Sequence, residues 1–164
     1  MSCNRYYVGR AALVAALLCL APASAAANVA RETATERSYA TAINAIRSDH
    51  GLRTLEEDAA LVESARKHSA DMVANQYFAH GTNWWRRLVQ AGAPGPHLGE
   101  NLGWCALKFC PDASPEKLIR MWLASPEHRA TLLNPTFRHL GVGISIGPFR
   151  GWKSAAVVTT DFDG

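Results

Sequence analysis

Two histidines and one glutamate are the side chains of this sequence that point most directly to chemistry: His80, Glu100 and His128. Imidazole and carboxylate groups are typical zinc ligands, and two His and one Glu with an open fourth position can activate water. The three residues are 20 and 28 positions apart, which is not a local ligand motif. Only the fold can bring them together. Taken alone, the spacing favours three separate roles. His80 would cap a helix end, Glu100 would accept hydrogen bonds from a loop, and His128 would interact with a carboxylate.

His128 follows a Ser-Pro pair that is typical of the start of a helix. Ser125 is a suitable N-cap residue, and Pro126 fits the first helical position. Ser125 and His128 also suggest a nucleophile and its base. No Gly-x-Ser-x-Gly elbow accompanies them, and the sequence offers no evident third member. N-capping is therefore the interpretation we favour for Ser125.

Hydrophobic periodicity predicts the elements that must position these residues. Helical spacing indicates five helical segments, at 33–49, 57–76, 84–91, 114–124 and 125–133. Strand patterns indicate a short strand near 98–104 and longer ones at 140–146 and 153–162. His68 lies on the apolar stripe of the second helix, where a hydrogen-bonded core residue is simpler than a ligand. Because helices come first and strands last, the fold class is α+β, with helices packed on an antiparallel sheet.

The N-terminus predicts export. Arg5 and Arg10 precede an apolar run at 11–21, and Ala23-Ser24-Ala25 supplies small residues for cleavage, so residues 1–25 are typical of a secretory signal peptide. The apolar run is shorter than the roughly 20 residues that a membrane-spanning helix needs. We therefore expect a secreted or periplasmic protein with no membrane anchor after cleavage. Residues 26–35 then form a short linker, and 36–162 form one domain.

Charge and cysteine usage agree with export. The chain has 17 basic and 14 acidic residues, and losing Arg5 and Arg10 leaves 15 against 14, a net charge of +1. This balance gives no argument for nucleic-acid binding. The predicted mature chain keeps Cys105 and Cys110, for which a disulfide closing a short loop is the simplest interpretation. A metal site would need further ligands, and a redox motif would have Cys-x-x-Cys spacing.

Eight short motifs occur in one order along the chain and carry a family resemblance. They are Asn44-x-x-Arg47, Leu55-x-x-Asp58-x-x-Leu61, His68-x-x-Asp71-Met72, Phe78-x-His80, Gly99-Glu100-Asn101-Leu102, Trp122-x-x-Ser125-Pro126-x-His128-Arg129, Leu133-Asn134-Pro135-x-Phe137 and Gly141-Val142-Gly143. Together they resemble a bacterial member of the CAP superfamily, or SCP-like extracellular domain. Its relatives include cysteine-rich secretory proteins, insect venom antigen 5 and plant pathogenesis-related proteins. The resemblance implies a three-layer α-β-α sandwich with a small antiparallel sheet.

The resemblance also implies a site. In that family two His and two Glu converge on a cleft that can hold a divalent cation, and His80, Glu100 and His128 match three of the four. Ser125 stands where the second Glu would be. Family relatives are associated with lipid or sterol binding and with host or competitor interaction. We therefore expect a non-enzymatic binding module for a lipid-like or sterol-like molecule or for an envelope or host protein. It would require no cofactor, and zinc or another divalent cation is an option at the cleft. A metal-assisted hydrolase or peptidase and a structural envelope protein with a vestigial cleft are the alternatives.

Overall fold

A computed structural model describes residues 23–93 and 95–164, with side chains described from residue 33 onward. Most of the predicted signal peptide, residues 1–22, lies outside these ranges. Within them, no helix combines the length and apolar character that a membrane span requires. The division into a signal peptide, a linker and a domain stays a prediction.

The described chain forms five α-helices and a four-stranded sheet. The helices are α1 (Ala23–Asp49), α2 (Ala59–Asn75), α3 (Trp84–Ala91), α4 (Pro115–Ala124) and α5 (Pro126–Leu132), with a 3₁₀ turn at Pro111–Ala113. The strands are β1 (Glu56–Glu57), β2 (Leu98–Ala106), β3 (His139–Phe149) and β4 (Trp152–Asp163). Their order in the sheet is β1-β3-β4-β2. β2 therefore lies at one edge of the sheet, where the site described below is found.

Two elements differ from the sequence prediction. α1 begins at Ala23, ten residues before the predicted start of the first helix at residue 33, and it includes residues 26–35. The reason is the Ala-rich composition of this stretch, since Ala has the highest intrinsic helix propensity. The sheet is mixed rather than purely antiparallel, because the two-residue strand β1 pairs in parallel with β3. Glu56 and Glu57 carry no apolar alternation, and only the pairing with β3 makes them a strand.

The sheet separates two helical layers, and the predicted α-β-α sandwich is confirmed. On one face, α1, α4 and α5 bury a large core that includes Tyr39, Ile43, Leu118, Trp122 and Phe162. On the other face, α2 covers β3 and β4, with Met72, Phe149 and Val157 in a smaller core. α3 packs beside α2. The three layers follow from the alternation of apolar side chains along β3 and β4, which face the two helical layers in turn.

The Gly141-Val142-Gly143 motif lets α2 approach the sheet closely. A Cβ atom on Gly141 would lie 2.1 Å from the Leu61 carbonyl carbon, and one on Gly143 would lie 2.1 Å from the Arg66 backbone nitrogen. Both contacts are with backbone, which cannot rotate away as a side chain can. The close approach is further fixed by Ser69, whose hydroxyl donates to the Gly143 carbonyl at 2.9 Å. Glycine at these positions therefore sets the position of α2.

The predicted disulfide is confirmed. Cys105 and Cys110 are bonded, with their Cα atoms 6.2 Å apart, and both are buried. The bond closes the loop that follows β2. On the same edge strand, the Leu102 carbonyl accepts a 2.8 Å hydrogen bond from the Trp122 indole nitrogen. This bond fixes α4 beside β2, and the two elements form the walls of the candidate site.

Candidate functional site

Glu100 anchors the inner end of the site. It lies on β2, its residue is 7% exposed, and Oε1 is 2.7 Å from Nδ1 of His80. Its second oxygen, Oε2, accepts a hydrogen bond from the Arg87 guanidinium on α3. Both carboxylate oxygens of Glu100 are therefore engaged by neighbouring side chains.

Arg87 connects Glu100 to a second buried carboxylate. Its Nη1 donates to Oδ2 of Asp161 on β4 at 2.7 Å and also to the Ser64 hydroxyl. Burial raises the pKa of Asp161 to about 7, against the opposing attraction of Arg87. The cause is physical: one guanidinium cannot fully compensate two carboxylates that water does not reach. The cluster therefore binds a proton more readily than an exposed carboxylate would.

His80 connects this buried cluster to solvent. The hydrogen bond from its ring to Glu100 raises the pKa of His80, and partial burial opposes that rise. Because Nδ1 faces Glu100, the other ring nitrogen, Nε2, points to the opposite side of the ring. A carboxylate that orients a histidine in this way fixes its ring position. Glu100 is therefore a positioning residue for His80.

His128 lies at the start of α5, and its Nδ1 is 2.8 Å from the Ser125 hydroxyl. Burial lowers the pKa of His128, and the charge of nearby His80 lowers it further. His128 is therefore neutral at neutral pH. The two imidazoles, predicted to share a cleft, interact electrostatically. The backbone of His128 is held to β2 by Asn101, whose side-chain amide donates to the His128 carbonyl at 3.0 Å.

The sequence interpretation of Ser125 was wrong in one respect. Ser125 occupies the N-cap position of α5, but its side chain makes no capping hydrogen bond. The hydroxyl contacts the His128 ring instead. The His128 ring, three positions further on, lies within reach of this hydroxyl in the first helical turn. Ser125 and His128 therefore form one polar pair.

The predicted ligand set of His80, Glu100 and His128 is not assembled as a metal site in this arrangement. In the part of the chain that the structure describes, no three His, Cys, Asp or Glu side chains form a group that could hold a metal ion. The physical reason is Arg87, which engages Oε2 of Glu100 while His80 engages Oε1. A carboxylate bound by a guanidinium is a poor ligand for a cation. The remaining donors are two imidazoles, too few for the three-ligand zinc site considered from the sequence.

An apolar pocket of about 380 Å³ opens between β2 and α4 beside His128. Its walls are formed by Phe78, Leu102, Gly103, Trp104, Leu118, Met121, Trp122, Ser125 and His128. His128 is the only titratable side chain among these lining residues. Together with Ser125, it forms a polar pair on a wall that is otherwise mainly apolar. A larger depression of about 560 Å³ lies against α5, but its lining includes no histidine and no carboxylate. The smaller pocket is therefore the candidate binding site.

Sequence reasoning missed the buried partners of Glu100. Arg87 and Asp161 were not singled out, although an aspartate within the Val- and Thr-rich strand β4 is a detectable signal. His68, assigned to the core, is buried there as expected, with Nε2 3.8 Å from Oε2 of Glu100. Burial is the main reason that the pKa of His68 is lowered. It lies behind the site and does not line the pocket.

Comparison with known proteins identifies the family. The model of the Cysteine-rich secretory protein family, CAP, matches residues 40–158. The chain therefore belongs to the CAP family, as the sequence motifs predicted. This match agrees with the α-β-α sandwich described above.

Bacterial relatives share the domain within longer chains. The chain is 33% identical over 117 residues to YlbC, an uncharacterized membrane protein of Bacillus subtilis, covering 69% of this chain and 32% of that protein. It is 32% identical over 115 residues to YkwD of the same organism, covering 68% and 42% of the two chains. An extracellular protein with an SCP domain from Bacillus anthracis superposes with a TM-score of 0.64 at 29% identity, covering 80% of this chain and 41% of that one. The chain thus spans less than half the length of each of these proteins.

Proposed function

We propose that this chain is an exported, non-enzymatic CAP module that binds one uncharged lipid-like molecule in the pocket between β2 and α4. The observation that carries the proposal is the Ser125–His128 pair on the wall of an otherwise apolar pocket. The pocket volume of about 380 Å³ lies in the lower part of the range of about 300–1,000 Å³ that is usual for small-molecule sites. Such a pocket suits one amphipathic molecule with a small polar end.

The electrostatics of the pocket favour an uncharged polar end. No carboxylate, lysine or arginine lines it, and the lowered pKa of His128 keeps this imidazole neutral at neutral pH. A neutral imidazole and a hydroxyl can each donate and accept hydrogen bonds, which suits an alcohol or an ester. A permanently charged headgroup would lose hydration without an opposite charge to replace it. Sterol-like alcohols and neutral acyl esters are therefore the favoured ligand classes.

Export is supported by three features. Residues 1–25 have the pattern of a signal peptide. The disulfide between Cys105 and Cys110 fits an oxidising compartment. The similar Bacillus anthracis protein is described as extracellular. We propose secretion or release into a periplasm on these grounds.

A hydrolase is less well supported than a binding module. Glu100 is committed to Arg87 and His80, so it is not available as a metal ligand or as a base for water. We expect zinc titration calorimetry to give the same weak signal for the wild type and for a His80→Ala, His128→Ala double variant. A stoichiometric zinc signal that only the wild type gives would reinstate the metal site.

Fluorescent lipids test the pocket directly. The probes are dehydroergosterol, methyl cis-parinarate and cis-parinaric acid, and energy transfer from pocket tryptophans Trp104 and Trp122 reports their binding. We expect saturable binding of at least one uncharged probe with one site per chain, and weaker binding of the acid at neutral pH. Met121→Asp places a charge in the wall at a residue that is already 55% exposed, so the fold should be retained and binding lost.

Matched variants separate a pocket effect from a general effect of surface charge. Val89→Asp introduces the same charge at a 54% exposed residue of α3, outside the pocket lining, and should bind as the wild type does. Met121→Leu keeps the wall apolar and should also bind. Absence of saturable binding for both uncharged probes would favour a structural protein with a vestigial cleft. Equal binding by Met121→Asp would place the ligand elsewhere.

A further inference from the structure

Two loops at one end of the sheet present aromatic side chains to solvent. One is the disulfide-closed loop after β2, and the other is the turn between β3 and β4. Phe109 from the first loop and Trp152 from the second lie edge to face, with ring centroids 5.3 Å apart. Phe109 is 52% exposed and Trp152 is 37% exposed. Neither ring is needed to fill the core, yet the two loops hold them together.

Two lysines lie over the Phe109 ring, and two further cations flank Trp152 in the sequence. The Nζ atoms of Lys117 and Lys108 lie 5.0 Å and 5.7 Å from the Phe109 ring centroid. Arg150 on the second loop is exposed and contacts the Phe149 ring at 5.9 Å, and Lys153 is exposed next to Trp152. Within residues 33–93 and 95–164, none of these four cations is ion-paired. We call the six residues Lys108, Phe109, Lys117, Arg150, Trp152 and Lys153 the basic tip.

The two loops of the basic tip are preformed and carry only positive charge, and the nearest carboxylates in the sequence, Asp112 and Glu116, lie beyond the first loop. Segments 104–110 and 147–153 contain three cations and no carboxylate. The disulfide closes the first loop, and the Leu107 amide donates to the Ser154 carbonyl at 3.1 Å, which joins it to the second. Because the aromatic pair is already in place, little conformational entropy is lost when a partner binds.

We propose that the basic tip docks this protein on the surface of an anionic lipid bilayer. Lys and Arg side chains are attracted to anionic headgroups, and Trp and Phe rings favour the interface between headgroups and acyl chains. The combination of exposed rings and unpaired cations matches both requirements, whereas a soluble polyanion would need only the cations. The docking surface is separate from the lipid pocket of the proposed function and does not depend on it.

The basic tip lies next to the pocket without sharing a residue with it. Trp104 lines the pocket, and its ring contacts Phe149 edge to face with centroids 5.6 Å apart. Lys117 belongs to the basic tip, and Leu118 and Met121 on the same helix line the pocket. Docking through the basic tip would therefore bring the pocket close to the bilayer surface.

Vesicle flotation tests the proposal with the protein produced from the full chain. Vesicles of phosphatidylcholine mixed with phosphatidylglycerol are compared with vesicles of phosphatidylcholine alone. We expect binding to the anionic vesicles only, weakened by added salt. Each neutralised cation should weaken binding about fivefold, so Lys108→Gln with Lys117→Gln should lose about twenty-five-fold. Phe109→Ser with Trp152→Ser should also weaken binding while the circular dichroism spectrum is unchanged.

A second exposed pair of Trp and Arg supplies the matched control. Trp85 is 44% exposed, and Arg86 lies over its ring at 5.3 Å, outside the basic tip. Trp85→Ser with Arg86→Gln should bind anionic vesicles as the wild type does. Equal loss in this control and in the basic-tip variants would overturn the proposal, because any basic aromatic surface would then suffice. All variants share the same N-terminus, so a contribution from that segment cancels.

Two further readouts distinguish a bilayer from another polyanion. Phospholipids with brominated acyl chains should quench tryptophan fluorescence on binding, and Trp152→Phe should reduce this quenching while keeping flotation. Dextran sulfate supplies charge without an apolar phase. Binding to dextran sulfate through the same cations, with no flotation on anionic vesicles, would overturn the bilayer assignment and indicate an anionic polysaccharide. Flotation without any quenching would overturn the insertion of the aromatic pair.

Discussion

Replacing Arg87 by Met should destabilise the protein strongly at neutral pH and less at acidic pH. In the folded chain Arg87 donates hydrogen bonds to Glu100, Asp161 and Ser64. The side chain of Glu100 is 1% exposed and that of Asp161 is fully buried. Met keeps most of the side-chain volume but removes the charge. Two buried carboxylates would then lose the guanidinium that both of them contact.

The magnitude follows from burial. Removing one partner of a buried ion pair costs about 3–5 kcal/mol, because the other partner stays buried and uncompensated. The Arg87 side chain is 22% exposed, so water can partly replace its charge. We therefore expect the lower end, a loss of about 3 kcal/mol in the free energy of unfolding at neutral pH. His80 should lose part of its orientation at the same time, since its partner Glu100 is no longer held.

The pH dependence has a definite sign. The pKa of Asp161 in the folded protein is raised to about 7. Between the ordinary carboxyl pKa and this value the folded state binds more protons than the unfolded state, so stability falls as pH rises through this window. In Arg87→Met the attraction that opposes the rise is gone, so the fall in stability extends to higher pH. The difference between variant and wild type should therefore be smaller near pH 5 than near pH 7.

Urea unfolding followed by circular dichroism measures both quantities. The matched control is Arg86→Met, which changes the neighbouring exposed arginine of the same helix and removes only a contact with the Trp85 ring. An exposed contact of this kind contributes about 0.5–1 kcal/mol. A loss below about 1 kcal/mol for Arg87→Met, similar to the control, would refute the buried-cluster reasoning. An equal loss at both pH values would refute the assigned protonation of Asp161.

Three further predictions concern packing, the histidine pair and the disulfide. Gly141→Ala should reduce the free energy of unfolding by an amount near the upper end of the range of about 1–3 kcal/mol, because the new Cβ would meet the Leu61 backbone. Urea unfolding measures this loss of stability. His80→Gln should raise the pKa of His128, followed by NMR titration of the imidazole resonances, since it removes a nearby positive charge. Replacing both cysteines of the disulfide by serine should cost about 2 kcal/mol, as expected for a short closed loop, and lower the thermal midpoint.

Each of these predictions has its own control. Gly147→Ala on the same strand would place its Cβ 2.8 Å from a side-chain atom of Val73, which can move, so it should cost less than Gly141→Ala. Equal costs would contradict the backbone contact. If the pKa of His128 stays the same or falls in His80→Gln, the proposed electrostatic interaction between the two histidines is contradicted. For the disulfide, a thermal midpoint unchanged from the wild type would show that the closed loop contributes no stability.

The helices could be predicted because their apolar faces repeat at helical spacing. The predicted bounds of the third helix, 84–91, match the structure. The fourth begins one residue later than predicted, at Pro115, and Ser114 occupies the N-cap position without a side-chain capping hydrogen bond. The parallel strand β1 could not be predicted, because its two glutamates carry no strand pattern and pair only through β3. The start of α1 was missed because a linker was expected in an Ala-rich stretch that favours helix.

The site could be predicted only in part. The order of short motifs predicted the CAP domain and singled out His80, Glu100 and His128. The structure pairs His80 with Glu100 and His128 with Ser125. The commitment of Glu100 to Arg87 could not be read from the sequence, since it depends on how α3 packs against α2 and β2. The contact between Ser125 and His128 required the turn geometry at the start of α5. Residue types therefore predicted the candidates, and tertiary packing decided which atoms remain available.

Native mass spectrometry of the protein recovered from cells tests the proposed lipid-binding function most directly. We predict one uncharged lipid per chain for the wild type, and none for Met121→Asp purified in the same way. The Val89→Asp variant should carry the same lipid as the wild type. A wild-type protein that carries no lipid, or an equal load on Met121→Asp, would contradict binding in the pocket between β2 and α4.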